Sequence, residues 1–314
     1  MGFDTSYHPV DMRLVETRLL PYLAGFGDDG DIDDLVVRAV AIRKTRFRAK
    51  AWALGVQTAL RDGADDSGFD SWLHVWGRPF FIVGDGVGSV VEGMQRYLAA
   101  QDFDAVDAIA ADMIGRLDPS PAGRVVPDSG GRLPDDAELA GNLSQALRIL
   151  RGAALALRAG QRTVRHPRGD REFDAAQLLS REVPYNLLEF AAALLPGWMS
   201  RGYTWPTRLC ADAGLPAEGF TDASALTGLL REQFPALDWP VLPDTIVANY
   251  TVGGLVPAPD VPTARAQLAR ERARLDCDGL ELRKLDEALG VAEHLGFAFC
   301  EATEIYSGFE GNLN

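Results

Sequence analysis

Lysine is nearly missing from this chain: Lys44, Lys50 and Lys284 are the only three among 31 basic residues. The skew toward arginine matches GC-rich bacterial coding, so arginine content by itself is no argument for phosphate binding. Cysteine is scarce too. Cys210, Cys277 and Cys300 are odd in number and contain no Cys-x-x-Cys pair, which speaks against a disulfide framework and fits reduced thiols in the cytoplasm. The four histidines, His8, His74, His166 and His294, are scattered. Without His-x-His, His-Glu-x-x-His or a local His/Cys cluster, no zinc site and no other cofactor is expected. Apolar runs stay well short of the roughly 20 residues that span a bilayer, and Met1 to Pro9 lacks the basic-then-apolar order of a secretory signal. No Gly-x-Ser-x-Gly elbow and no Gly-Lys-Ser/Thr phosphate loop occurs.

What the chain does have is acid. At 314 residues it carries a formal charge of −14, which argues against general nucleic-acid binding because a net anion repels the phosphate backbone. Within the first fifty residues the sign reverses. Asp28, Asp29, Asp31, Asp33 and Asp34 are followed by Arg38, Arg43, Lys44, Arg46, Arg48 and Lys50 with no acid between them. Such a run is either a neutralised internal seam or a surface patch that meets an anion. On a helix from Leu35 to Leu54, Val36, Val40, Phe47 and Leu54 form an apolar stripe. Arg43, Arg46 and Lys50 flank it on one side and Lys44 and Arg48 on the other. The expectation is that the flanking bases lay their stems over the core edge and keep their charges wet. The functional reading makes Arg43, Arg46 and Lys50 an anion site. The aspartates open like a calcium loop, but the sixth position is Asp34 instead of glycine and the twelfth is Val40 instead of glutamate, so the loop fails.

Helical periodicity covers most of the chain. Extended segments are predicted at Phe3–Val10, Trp72–Val83 and Thr245–Val256, and one long final helix from Gly279 to Tyr306. A Pro/Gly-rich stretch over 117–136 reads as a loop or linker between an N-terminal strand and helix region, 1–116, and a mainly helical C-terminal region, 137–314. The fold class is α+β and predominantly α-helical, with helices packed around one small sheet of about three short strands. Gly84-Asp85-Gly86-Val87-Gly88-Ser89 lacks the third glycine of a dinucleotide fingerprint and reads as a tight connection into a helix.

Two functions follow from different residues. The large negative charge fits an acidic binding protein, an inhibitor or immunity-type protein that takes a basic partner protein and needs neither membrane nor nucleic acid. On the final helix, Glu293, Phe297, Glu301 and Glu304 form the expected contact spot, an aromatic ringed by acids. The alternative is an enzyme, metal-dependent in one version, whose site is assembled from distant Asp4, His8, Arg78, Glu301 and Glu304.

Overall fold

The computed structural model describes residues 4–61, 68–117, 124–165, 169, 171–201, 231–237, 250–275, 278–303 and 305. It is mostly helical, with ten helices and a small antiparallel sheet plus a hairpin among those residues. The sheet runs in the order β4 (Trp198–Arg201), β1 (Asp4–Val10), β6 (Ala298–Thr303), β5 (Val252–Val256). Its register pairs Tyr7 with Trp198 and with Glu301, and His8 with Cys300. Alternation of side chains along a strand sends His8, Val10, Cys300 and Ala302 to one face and Tyr7, Phe299 and Trp198 to the other. Val10, Cys300 and Ala302 belong to one apolar cluster, and Tyr7, Phe299 and Trp198 to a second.

The first cluster is built on α1 (Met12–Leu14), α2 (Leu20–Leu23), α7 (Asp136–Arg158) and α8 (Ala175–Leu194). Between α1 and α2 the chain widens to a π-helix over Val15–Leu19. Pro21 has no N–H to return to the carbonyl four residues back, and a widened turn absorbs that gap. The second cluster is built on α5 (Val87–Ala99), α6 (Phe103–Leu117), α9 (Val261–Glu271) and α10 (Gly279–Leu295). A short α4 (Ser71–His74) precedes it, and β2 (Thr163–Arg165) and β3 (Glu172–Asp174) form the hairpin that joins α7 to α8.

One helix feeds both clusters. In α3 (Asp33–Arg61), Leu35, Val36 and Ala39 lie in the first, while Ile42, Ala49, Ala53 and Val56 lie in the second. The inward line therefore passes through Leu35, Ala39, Ile42, Arg46, Ala49, Ala53 and Val56, not through Phe47 and Leu54, which are only half-buried. Alanines along this line let neighbouring elements approach closely. Aspartates start many of the helices: Asp11, Asp70, Asp102, Asp135, Asp174 and Asp278 each accept a bond from a first-turn amide, a contact worth about 1 kcal/mol.

Two sequence expectations are corrected. Trp72–Val83 contains no strand; it begins as α4 and continues irregularly. The final helix stops at Leu295, where Gly296 adopts φ 67° and the Phe297 amide bonds back to the Ala292 carbonyl at 2.9 Å. That left-handed stop turns the chain into β6, an inner strand. The expected third extended segment is a strand from Val252 to Val256, and its part at 245–249 lies outside the described residues. Residues 124–128, in the stretch read as a loop or linker, lie along α3. Asp128 donates its amide to the Ala51 carbonyl at 2.9 Å, and Gly55 leaves room for the Val126 carbonyl.

Arginines hold the aspartate run. Arg18 bonds Asp34 at 2.8 Å, Arg148 bonds Asp33 at 3.1 Å, and Arg151 bonds Asp29 at 2.9 Å. Arg151 is buried and also donates to the carbonyls of Tyr22, Phe26 and Gly27 at 2.5–2.7 Å, lying over the Tyr22 ring. It thereby satisfies carbonyls at and just beyond the end of α2. Arg151→Met leaves those acceptors buried without donors and is expected to cost about 3 kcal/mol. Arg274→Met, at a guanidinium 68% exposed beside Glu271, costs under about 1 kcal/mol. Urea midpoints of the two variants check the contrast; equal losses would refute the role given to Arg151.

Candidate functional site

The basic middle of α3 lies largely inside. Arg46 and Lys50 are buried and Arg43 is half-buried, so the expectation that this flank stays wet is overturned. The helix is rotated so that the small alanines, not the larger Phe47 and Leu54, face the core. Lys50 sets its ammonium 5.1 Å over the Trp76 ring. On the outer flank, Lys44 bonds Asp136 at 2.9 Å, and Arg48 grips Asp107 with two bonds of 2.6 and 2.7 Å that the Trp52 indole joins. Arg43 lines a small enclosed pocket with Asn142, Asn186 and Glu189. Burial raises the Glu189 carboxyl pKa and Arg43 pulls it down.

Of the residues named for an enzyme, the described side chains of His8, Arg78 and Glu301 lie in three different places. His8 is fully buried and its Nε2 lies 2.7 Å from Ser6 Oγ, which donates to the Ala302 carbonyl. His8 Nε2, Ser6 Oγ and the Ala302 carbonyl thus form a buried hydrogen-bonded chain. His8 Nδ1 has no partner among the described residues, and any side chain at Gly197 would overlap it. Burial, reinforced by Arg46, lowers the His8 pKa to about 3. Glu301 sits opposite Tyr7 on β6, also fully buried, with its carboxylate against Gly253. Because register places His8 opposite Cys300, the His8 and Glu301 side chains leave opposite faces of the sheet. Arg78 belongs to a third place. It holds Glu287 through bonds of 2.6 and 3.0 Å and donates to the carbonyls of Ile82 and Gly84, so it fastens the turn before α5 onto α10. Glu287 is buried with it. Asp4 is placed by its backbone pairing with Arg201. Glu304 lies outside the described residues.

The expected acidic contact spot is likewise divided. Glu293 is exposed on α10 and bonded to Arg265 at 3.0 Å, Phe297 packs beside the second apolar cluster, and Glu301 is interior. Among the described residues no group of three or more His, Cys, Asp or Glu side chains could hold a metal, and no helix is long and apolar enough to cross a membrane. Cys300 is buried, and burial pushes its thiol pKa well up, which makes it an inert core residue.

A different feature was not legible in the sequence. α3, α6 and α7 enclose an open groove of about 630 Å³. Its floor is Val37, Val40 and Ala41 from α3 with Ala140 from α7, and Phe103 closes one end. Val37 is 70% exposed and Phe103 38%; Arg48, anchored on Asp107, lies 5.9 Å over the Phe103 ring. Asp102, Asp104 and Asp136 stand around this floor with Lys44. Sequence reading could have found the floor from the valine and alanine at 37 and 41, but the rim comes from residues some sixty to a hundred positions away.

The buried histidines set a pH limit. His74, stacked on Phe69 and bonded to the Ile82 carbonyl, is lowered to about 4 by burial and Arg78. Unfolded, both histidines take a proton near pH 6.5; folded, they resist it down to about 3 and about 4. Below pH 6.5 the unfolded chain binds more protons, so stability falls as pH falls, by about 1.4 kcal/mol per unit for each histidine. Urea unfolding at pH 7 and 5 is expected to show a loss of about 4 kcal/mol, and His8→Gln should remove about half of that dependence. An unchanged slope in the variant would contradict the assignment.

Comparison with protein-family models, with curated proteins and with solved structures finds no match to this chain in any of the three.

Proposed function

We propose that this chain is a binding protein whose acidic surface takes a basic partner protein, in the manner of an inhibitor or immunity-type protein. The observation that carries the reading is the groove between α3, α6 and α7: an apolar floor partly open to solvent, bordered by carboxylates. Apolar area supplies affinity and a charged rim supplies steering and choice of partner. The distribution of ion pairs supports it. Arg18, Arg48, Arg78, Arg148, Arg151 and Arg265 are all engaged with acids of the same chain. Asp85, Glu92, Asp102, Asp104 and Glu138 are exposed and have no ion-pair partner among the described residues. Exposed Arg13, Arg38, Arg132 and Arg162 have no ion-pair partner among the described residues either, so the acid excess is one of number, a formal charge of −14 over the chain.

The alternative is an enzyme with an internal site. One observation favours it: the Ser6–His8 pair at 2.7 Å with Nδ1 unpartnered among the described residues. Against it stands the complete burial of both side chains, which leaves a substrate no access to the pair.

The test is capture of the tagged chain's partner from its source cells at low salt, followed by reconstitution from purified components. The expected result is one stoichiometric basic protein that is released as salt approaches about 0.5 M. Asp104→Asn with Glu138→Gln should then slow association by about tenfold or less. Retention of no partner, or of an acidic one whose binding ignores salt, would overturn the proposal.

A further inference from the structure

Resting on the binding reading, the geometry points to a specific anchor: the groove seats an arginine or lysine side chain of the partner, and Lys44 is the built-in occupant that this side chain displaces. Val37, Val40, Ala41 and Ala140 are short side chains, so the floor offers a shallow apolar bed, not a deep hole for an aromatic ring. A bed of that kind suits an aliphatic stem, and carboxylates at its edge suit the cationic head that such a stem carries. Lys44 shows the arrangement within the chain itself. It lines the groove, and its ammonium contacts both oxygens of Asp136, at 2.9 and 3.2 Å. The pair is well solvated, with Lys44 38% and Asp136 68% exposed, so the contact is weak and exchangeable. Asp102 and Asp104 line the same groove without an ion pair of their own among the described residues; Arg48, held on Asp107, acts on Asp104 from outside the groove lining, and the two carboxylates remain to receive a second cation. The volume of about 630 Å³ exceeds what one side chain fills, which fits a turn of an amphipathic basic segment presenting its arginine or lysine with apolar neighbours.

The probe is N-acetyl-arginine-N-methylamide, titrated into the full chain and followed by NMR, with the norleucine analogue as the uncharged control. Arginine is expected to shift the signals of Val37, Val40, Phe103 and Ala140, and norleucine at the same concentration to leave them in place. Lys44→Gln frees Asp136 and should tighten arginine binding about two- to fivefold, while Asp104→Asn with Asp136→Asn weakens it by at least as much. Ala41→Trp, at an exposed helical position, fills the groove and should abolish the shifts without loss of helical circular dichroism. Equal binding of norleucine, arginine shifts scattered over other acids, or weaker binding after Lys44→Gln would overturn the inference. Spermidine binding more than tenfold tighter than arginine would assign the groove to a free polyamine and overturn it as well. The two proposals fail separately. A captured basic partner indifferent to Ala41→Trp removes the anchor and leaves the binding protein; groove-specific arginine shifts with no salt-sensitive partner remove the binding protein and leave the groove's chemistry.

Discussion

A 29-residue helix that supplies both apolar clusters cannot turn its basic middle to water. Rotating α3 to expose Arg46 and Lys50 would also withdraw Ala39, Ile42, Ala49 and Ala53 from the core, since residues three and four apart share a face. The rest of the structure accommodates that constraint. Lys50 finds the face of Trp76, and His8 stays neutral beside Arg46. Gly197 and Gly253 omit the side chains that would collide with His8 and Glu301. A buried charge costs several kcal/mol unless its surroundings are arranged for it. The arrangement fixes the rotation of α3, and with it which flank of the helix reaches the surface as the floor of the groove.

Near absence of lysine has a structural counterpart. Arg78 and Arg151 each bind one carboxylate and at least two backbone carbonyls. A planar fork with five donors can do this, whereas an ammonium with three cannot reach the same set at once. The two guanidiniums satisfy carbonyls where the chain leaves a helix or turns toward one, sites that otherwise need water or a capping residue. Arg78 also ties the turn at Ile82–Gly84 to a helix more than two hundred residues later in the chain. Arg78 and Arg151 fasten the interior, and their presence carries no information about an anionic ligand.

The sequence discloses what depends on local pattern. Helical periodicity, the extended first segment with His8 before Pro9, and the aspartate helix starts can be read directly. The last strand cannot. Ala298 to Thr303 is buried on both faces, so no polar alternation marks it, and its apolar residues continue the helical stripe that precedes Gly296. Glu301 was misplaced for that reason, and the distance between its expected and actual surroundings is the difference between a helix face and a sheet interior. Trp72–Val83 fails in the opposite sense: its aromatic and β-branched composition imitates a strand, while the Asp70 cap and the Arg78 bonds to Ile82 and Gly84 hold it in a helical turn and an irregular loop. Long-range contacts decide these cases, and a single sequence contains no record of them.

The groove unites the two themes, because its rim is partly a consequence of helix capping. Asp102 accepts the Ala105 amide at 2.8 Å, and Asp135, next to Asp136, accepts the Glu138 amide at 2.9 Å. Capping carboxylates sit in the positive field of a helix N-terminus, which partly offsets their charge as seen from outside. The field that a partner meets is therefore weaker at Asp102 than a count of acids suggests. Asp104 and Asp136 have no capping bond but stand in the first turns of α6 and α7 and share that field; Lys44 already holds Asp136, and the Arg48 guanidinium acts on Asp104. A fold that begins helices with aspartate thus places acid wherever two helix starts meet. Where that meeting also leaves Val37 and Phe103 uncovered, structural capping and an apolar bed coincide at one surface.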